Sequence, residues 1–240
     1  MHSTNSSNMK INIVKNKEEG GKLAFQLVKE ALEKGAEVFG LATGSTPEML
    51  YKELRESDLD FSDKIAVNLD EYYGLAADHP QSYKYFMQEN LFNAKPFRET
   101  HIPDGLAAEE TEVKRYDDIL DKKPVDVQIL GIGTNAHIGF NEPGTSFDTK
   151  THKVRLTEDT IQANKRYFES EDEVPEYAYS MGIASIMEAG KVILMAFGKN
   201  KAEAINKTVN GPVTQDVPGS ILQKHPNVVI IVDEEAASEL

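Results

Sequence analysis

The chain has no cysteine among its 240 residues, which excludes disulfides, thiolate zinc sites and a cysteine nucleophile. Positive charge is also scarce: 26 lysines and arginines against 40 aspartates and glutamates leave a formal net charge of -14. That balance is the opposite of the basic footprint that neutralises nucleic-acid phosphates, so no nucleic-acid partner is expected. No apolar run approaches the roughly 20 residues that cross a bilayer, and no membrane partner is expected either. The opening stretch MHSTNSSNMK lacks the apolar centre of a secretory signal, which makes the cytoplasm the expected location. Its polar character before Met9 reads as an expression-vector remnant over residues 1–8, with the natural start at Met9.

What remains is ordinary globular composition, 40% hydrophobic and 28% charged, in a length that suits one α/β domain with a mobile flap. A small anionic ligand is compatible with the acidic balance. Screening over about 8 to 10 Å lets a few cations in a pocket outweigh distant carboxylates.

Short apolar runs punctuate the chain at 11–14, 38–42, 65–69, 125–131, 191–198 and 227–233. They are continuous rather than alternating, the pattern of strands covered on both faces. Between the first two runs Leu23, Leu27, Val28, Ala31 and Leu32 share one helical face, and Gly35 supplies a stop. The expected fold is α/β: a doubly wound, mostly parallel sheet with helices on both faces, Rossmann-like. In such sheets ligands bind beyond the carboxyl ends of the strands.

Four strand ends carry suggestive residues. TGSTP at 43–47 leads into a helical stretch. Ser45 or Thr46 is expected to cap that helix and Pro47 to fit its first turn. The free N–H groups of Gly44, Ser45 and Thr46 would then form a phosphate cradle at a positive helix end. DEYYGL follows the third run and puts Asp70 where a general base would stand, with neighbouring Glu71 diverging from it. GIGTNAHIGFNEPG at 131–144 has glycines spaced like a dinucleotide loop, but two further glycines, Asn141 and Pro143 break any helical period, and that reading fails. Left over is an irregular loop carrying Asn135, His137 and Glu142. A carboxylate beside a histidine fixes its tautomer and raises its basicity, as acid-base work requires. After the fifth run Lys199 and Lys201 open a helix against its dipole, which a nearby anion would explain. Arg166, in ANKRYF, is a further cation suited to phosphate. FESEDEVPEY at 168–177 reads as a solvated loop.

LATGSTP, NLDEYYGL, HPQSY, GIGTNAHIGFNEPG, ANKRYF and GSILQKHP, spread from Leu41 to Asp233, together resemble the glucosamine-6-phosphate deaminases. The resemblance implies conversion of glucosamine 6-phosphate and water to fructose 6-phosphate and ammonia. Asp70 would move a proton from C2 to C1, and His137, supported by Asn135 and Glu142, would open the pyranose ring. Thr43, Gly44, Ser45, Thr46 and Gly131, with Arg166 and Lys201, would hold the phosphate and sugar. No metal and no organic cofactor is implied. The sole expected partner is a small amino sugar phosphate, the expected assembly a monomer or small homo-oligomer. A lid over residues 157–175 would close on the sugar and bring Arg166 to its phosphate.

Two departures from the family's pattern stand out. Asn135 and Ala136 replace the more usual aspartate and glycine, which should leave His137 less basic and Glu142 more important. His152 and Val154 stand where allosteric relatives carry basic side chains, and the carboxyl tail is shorter, so no allosteric effector is expected. The alternatives are a 6-phosphogluconolactonase-like hydrolase, a non-catalytic sugar-phosphate sensor, and a metal-dependent hydrolase built on Asp70, His137 and Glu142.

Overall fold

The structure is a computed structural model that describes residues 2–6 and 9–240. Met1, Ser7 and Asn8, and with them part of the segment read as a vector remnant, lie outside the described residues. The first half of the chain forms β1 (His2–Ser6), β2 (Met9–Val14), α1 (Lys17–Glu33), β3 (Val38–Leu41), α2 (Glu48–Glu56), β4 (Ile65–Asn68), β5 (Asp70–Tyr72), α3 (Tyr83–Met87), β6 (Glu99–His101) and α4 (Glu109–Lys122). The second half adds β7 (Val127–Leu130), β8 (His152–Arg155), α5 (Glu158–Asn164), β9 (Tyr177–Ser180), α6 (Ile183–Met187), β10 (Lys191–Ala196), α7 (Ala202–Asn210) and β11 (Val228–Asp233).

Eight strands make the main sheet, in the order β1-β2-β11-β10-β7-β3-β4-β6. All pairs are parallel except β1 with β2. The continuous apolar runs are explained by a core on each face. In β11, Val228, Ile230 and Val232 pack with Tyr116 of α4 and Ile205 of α7. Val229 and Ile231 alternate with them and pack with Ala24 and Val28 of α1 and Leu50 and Leu54 of α2. The sheet is therefore doubly wound, as its sequence pattern implies. Helix α1 is capped by Asn16, whose side chain accepts the Glu19 N–H at 2.9 Å, and Gly35 follows it at φ 96°.

Strand succession moves outward from β3 to β4 and β6, then returns to β7 beside β3 and continues to β10 and β11. The reversal lies between β3 and β7. Their carboxyl ends, Ala42–Thr43 and Gly131–Gly133, thus open the crevice in which a doubly wound sheet places a ligand.

Three sequence expectations need correction. Asp70 and Glu71 do not enter a loop: after Leu69 they begin β5, which joins β9 and β8 in a separate antiparallel sheet. These strands have three or four residues each, too short for a clear period. Neither Ser45 nor Thr46 caps α2, because Pro47 is itself the residue before the first turn and no side chain caps it. Both hydroxyls are left free of that duty. Lys199–Lys201 form a short 3-10 turn, and α7 starts only at Ala202.

The segment 157–175 begins with α5, capped by Thr157 at Thr160 N–H, and continues through 3-10 turns at Lys165–Tyr167 and Glu171–Glu173. It rests on a small third core, where Ile161 and Val174 meet Tyr72, Leu75, Leu156 and Ala178. Among the described residues no helix is long and apolar enough to cross a membrane.

Candidate active site

A cavity of about 400 Å³ occupies the crevice. It takes Ala42 and Thr43 from the end of β3, Leu69 and Asp70 from the junction of β4 and β5, Gly131 to Thr134 and His137 from the loop after β7, and Lys201 from the turn after β10. Tyr83 at the start of α3 and Phe140 complete the wall. A larger cavity of about 570 Å³ lies by α1 and α2, where Lys15, Lys22, Glu19 and Glu53 line it without any of the groups above. The smaller cavity is the one with convergent acid, base and cation, and that chemistry outweighs size.

Asp70 is 7% exposed and its carboxyl is pushed up to about 8, first by burial and then by the negative charge of Glu71. A carboxyl so shifted is suited to accept a proton from carbon near neutral pH. Glu71 leaves β5 on the other face, as adjacent strand residues must. Burial raises it to about 7 against the opposing pull of three backbone N–H groups.

The loop after β7 holds His137 by a chain of hydrogen bonds. Asn135 Oδ1 accepts from the backbone N–H of His137 at 3.1 Å, and its Nδ2 donates to Glu142 at 2.8 Å. With an N–H donor on one side and a carboxylate on the other, the amide has only one sensible orientation. His137 Nδ1, 2.7 Å from the same Oδ1, must therefore carry the proton, leaving Nε2 as the free base. Glu142 itself is 3.5 Å from Nδ1, close enough for its charge to act on the ring while it also holds the Asn135 amide. The Glu142 carboxylate does pull the basicity of His137 upward, as expected, but it does not set the net direction. The pKa of His137 is lowered, because burial outweighs the opposing influence of Glu142 and Lys201 adds to the lowering.

Two backbone details make this loop possible. A Cβ on Gly133 would run into the His137 ring, so only glycine admits the imidazole there. Ala136 has φ 69°, the left-handed conformation in which alanine is strained and glycine is not.

Lys201 donates to Ile132 O at 2.6 Å, and burial lowers its pKa. Thr43 is half-buried on the cavity wall, whereas Gly44, Ser45 and Thr46 follow it in the chain without lining the cavity, Gly44 and Ser45 being exposed. Gly44 borders an adjoining cavity of about 300 Å³, which shares Thr43 and Tyr83 with the first and is closed by Asn164, Tyr167 and Phe168. Fully buried Tyr51 of α2 pins the base of this loop, its hydroxyl donating to Ala42 O and accepting Ala42 N–H. Arg166 is not brought to the cavity: it is exposed, with its guanidinium 4.7 Å over the Tyr167 ring and hydrogen-bonded to that hydroxyl at 2.6 Å. Among the described residues no three His, Asp or Glu side chains converge as a metal site.

Sequence reasoning missed Tyr83, Thr134 and Phe140. Tyr83 had a signal in HPQSY, since Ser82 caps α3 by accepting Tyr85 N–H at 3.0 Å and so fixes the next residue at the cavity. Phe140 and Tyr83 stack nearly parallel at 6.5 Å, a contact no spacing rule foretells.

Residues 18–231 match the family described as glucosamine-6-phosphate isomerases/6-phosphogluconolactonase. The chain belongs to this family. Within the isomerase/lactonase family it is 60% identical over 233 residues to the glucosamine-6-phosphate deaminases of Streptococcus uberis and Ligilactobacillus salivarius, covering 97% of this chain and 100% of each relative. Its fold matches a solved monomeric glucosamine-6-phosphate deaminase with a TM-score of 0.90 and 42% identity, over 96% of this chain and 99% of that one. A 6-phosphogluconolactonase from Trypanosoma brucei matches with a TM-score of 0.78 at 20% identity, over 96% and 98% of the two chains. That likeness extends to the isomerase/lactonase fold alone.

Proposed function

We propose that this chain is a glucosamine-6-phosphate deaminase, converting glucosamine 6-phosphate and water to fructose 6-phosphate and ammonia. One observation carries the reading: a buried carboxyl raised toward neutrality and a histidine with a defined free nitrogen share one cavity, with a lysine beside them. The names of the relatives support the substrate.

In this reading the N–H groups of Gly44, Ser45 and Thr46 and the ammonium of Lys201 hold the 6-phosphate, and Thr43 and Gly131 contact the sugar. Free Nε2 of His137 takes the C1 hydroxyl proton as the ring oxygen leaves C1 and hands it to that oxygen, which opens the pyranose to an aldehyde with a free C5 hydroxyl. Asp70, ionised, removes the proton at C2 and returns it to C1, so the aldose becomes an enolamine and then a ketose-level imine. Addition of water at C2 and departure of ammonia give fructose 6-phosphate. Asn135 and Glu142 keep His137 in its working tautomer. No metal or organic cofactor takes part. The segment 157–175 closes over bound sugar and carries Arg166 from the Tyr167 ring to the phosphate. The protein works in the cytoplasm as a monomer or small homo-oligomer without an aminosugar phosphate effector.

The test is product analysis after incubation with glucosamine 6-phosphate, following ammonia and fructose 6-phosphate together, beside a 6-phosphogluconolactone hydrolysis assay. Equal yields of the two products support the reading. Lactone hydrolysis without ammonia would overturn it.

A further inference from the structure

Glu71, adjacent to Asp70 on β5, points away from the cavity and is 2% exposed. Its Oε1 accepts the backbone N–H groups of Tyr72 at 2.8 Å and Tyr83 at 2.9 Å, and its Oε2 accepts that of Lys84 at 3.0 Å. Two of these donors open α3, whose first residue, Tyr83, lines the cavity with Asp70. The strand of the base and the helix of the facing aromatic wall are thus joined through one carboxylate, and no step of the reaction above uses it.

We propose that Glu71 is a positioning residue for this reaction: its three backbone hydrogen bonds fix Asp70 and the Tyr83 wall together, and its buried negative charge acts on the carboxyl beside it. The proposal rests on the reading of Asp70 as the proton carrier. Of the groups around Asp70, Tyr51, Tyr72, Tyr83 and Tyr116 are held neutral by burial. His137 and Lys201 face it across the cavity. On the far side Glu71 lines a cavity that Lys84, Asp104 and Arg115 also line, and Arg115 is already paired with Glu112 at 2.6 Å. Glu71 is the anion that reinforces burial in favouring protonated Asp70. A carboxylate base loses activity as pH falls through its pKa, so deleting the neighbouring negative charge must move that acid limb to lower pH.

The experiment measures kcat and KM for glucosamine 6-phosphate across the pH range in the wild type, Glu71→Gln and Glu71→Asp. Glu71→Gln should move the acid limb of kcat/KM down by about half a pH unit or more. It should also lower kcat about tenfold with little change in KM, because the phosphate grip is untouched. Glu71→Asp keeps the charge and the limb, but its shorter arm cannot reach all three N–H groups, and its Tm should fall. A folded Glu71→Gln with the wild-type limb would overturn the proposal. A second measurement needs no variant: carboxyl 13C titration of the unsubstituted protein should show an inflection in the Asp70 curve where Glu71 titrates, and two independent single-step curves would contradict the coupling. Ammonia release by the wild type and its loss in Asp70→Asn test the underlying reading separately. If both hold and the limb stays, only the role of Glu71 falls.

Discussion

Asn135 Oδ1 stands 2.7 Å from His137 Nδ1, nearer than the Glu142 carboxylate at 3.5 Å. An uncharged amide is therefore the group that sets the histidine's tautomer. Replacing Asn135 by aspartate puts a negative charge at hydrogen-bond distance from the imidazole and favours the imidazolium. The pKa of His137, now depressed by burial, should rise by about one unit or more. An NMR titration of the His137 ring reads this directly, and an unchanged midpoint would contradict the arrangement.

Buried Asp70 also makes a prediction about stability. Its folded-state pKa, about 8, lies above the ordinary aspartate value of 3.8, so between those values the folded state binds more protons than the unfolded state. The contribution of Asp70 is greatest below the unfolded pKa and is lost as pH rises through the folded one. Asp70→Asn removes the ionisation. It should raise Tm relative to the wild type at alkaline pH, with the advantage shrinking toward acid, in paired melting curves. A variant that was less stable at alkaline pH would show that the ionised carboxyl is compensated by partners.

Lys201 reaches the cavity from the turn before α7 and now donates to the carbonyl of Ile132. A charge-assisted bond to phosphate of this kind stabilises by about 1.5 to 3 kcal/mol, so Lys201→Ala should raise KM about ten- to hundredfold. Its effect on kcat should be much smaller, since the proposed reaction puts the reacting carbons with Asp70 and His137. Steady-state kinetics at saturating substrate separate the two. A fall in kcat with KM intact would place Lys201 in the chemistry instead.

The main sheet was legible because its strands are buried on both faces and its apolar runs are unbroken, as in β10 and β11. Edge strand β6, with Glu99 and His101, carries no such run, and β5, β8 and β9 are three or four residues long. Asp70, His137, Thr43 and Lys201 could be placed at one crevice from sequence because each follows a strand of the readable sheet, where topology directs ligands. Two misses have different causes: the cap of α2 fails because Pro47 itself takes the position before the first turn, a local matter of backbone, and the wall of Tyr83 and Phe140 is settled by tertiary contact rather than spacing. Arg166 lies on the Tyr167 ring, outside the cavity, and only the closure of 157–175 that the family resemblance implies would carry it to a phosphate there.

The most direct test of the whole account is Asp70→Asn, assayed for glucosamine 6-phosphate binding by calorimetry and for ammonia release. The account predicts binding within about threefold of the wild type and turnover reduced by about 10² or more, the usual share of a positioned acid-base group. Normal ammonia release from that variant would contradict proton transfer by Asp70 and with it the proposed reaction.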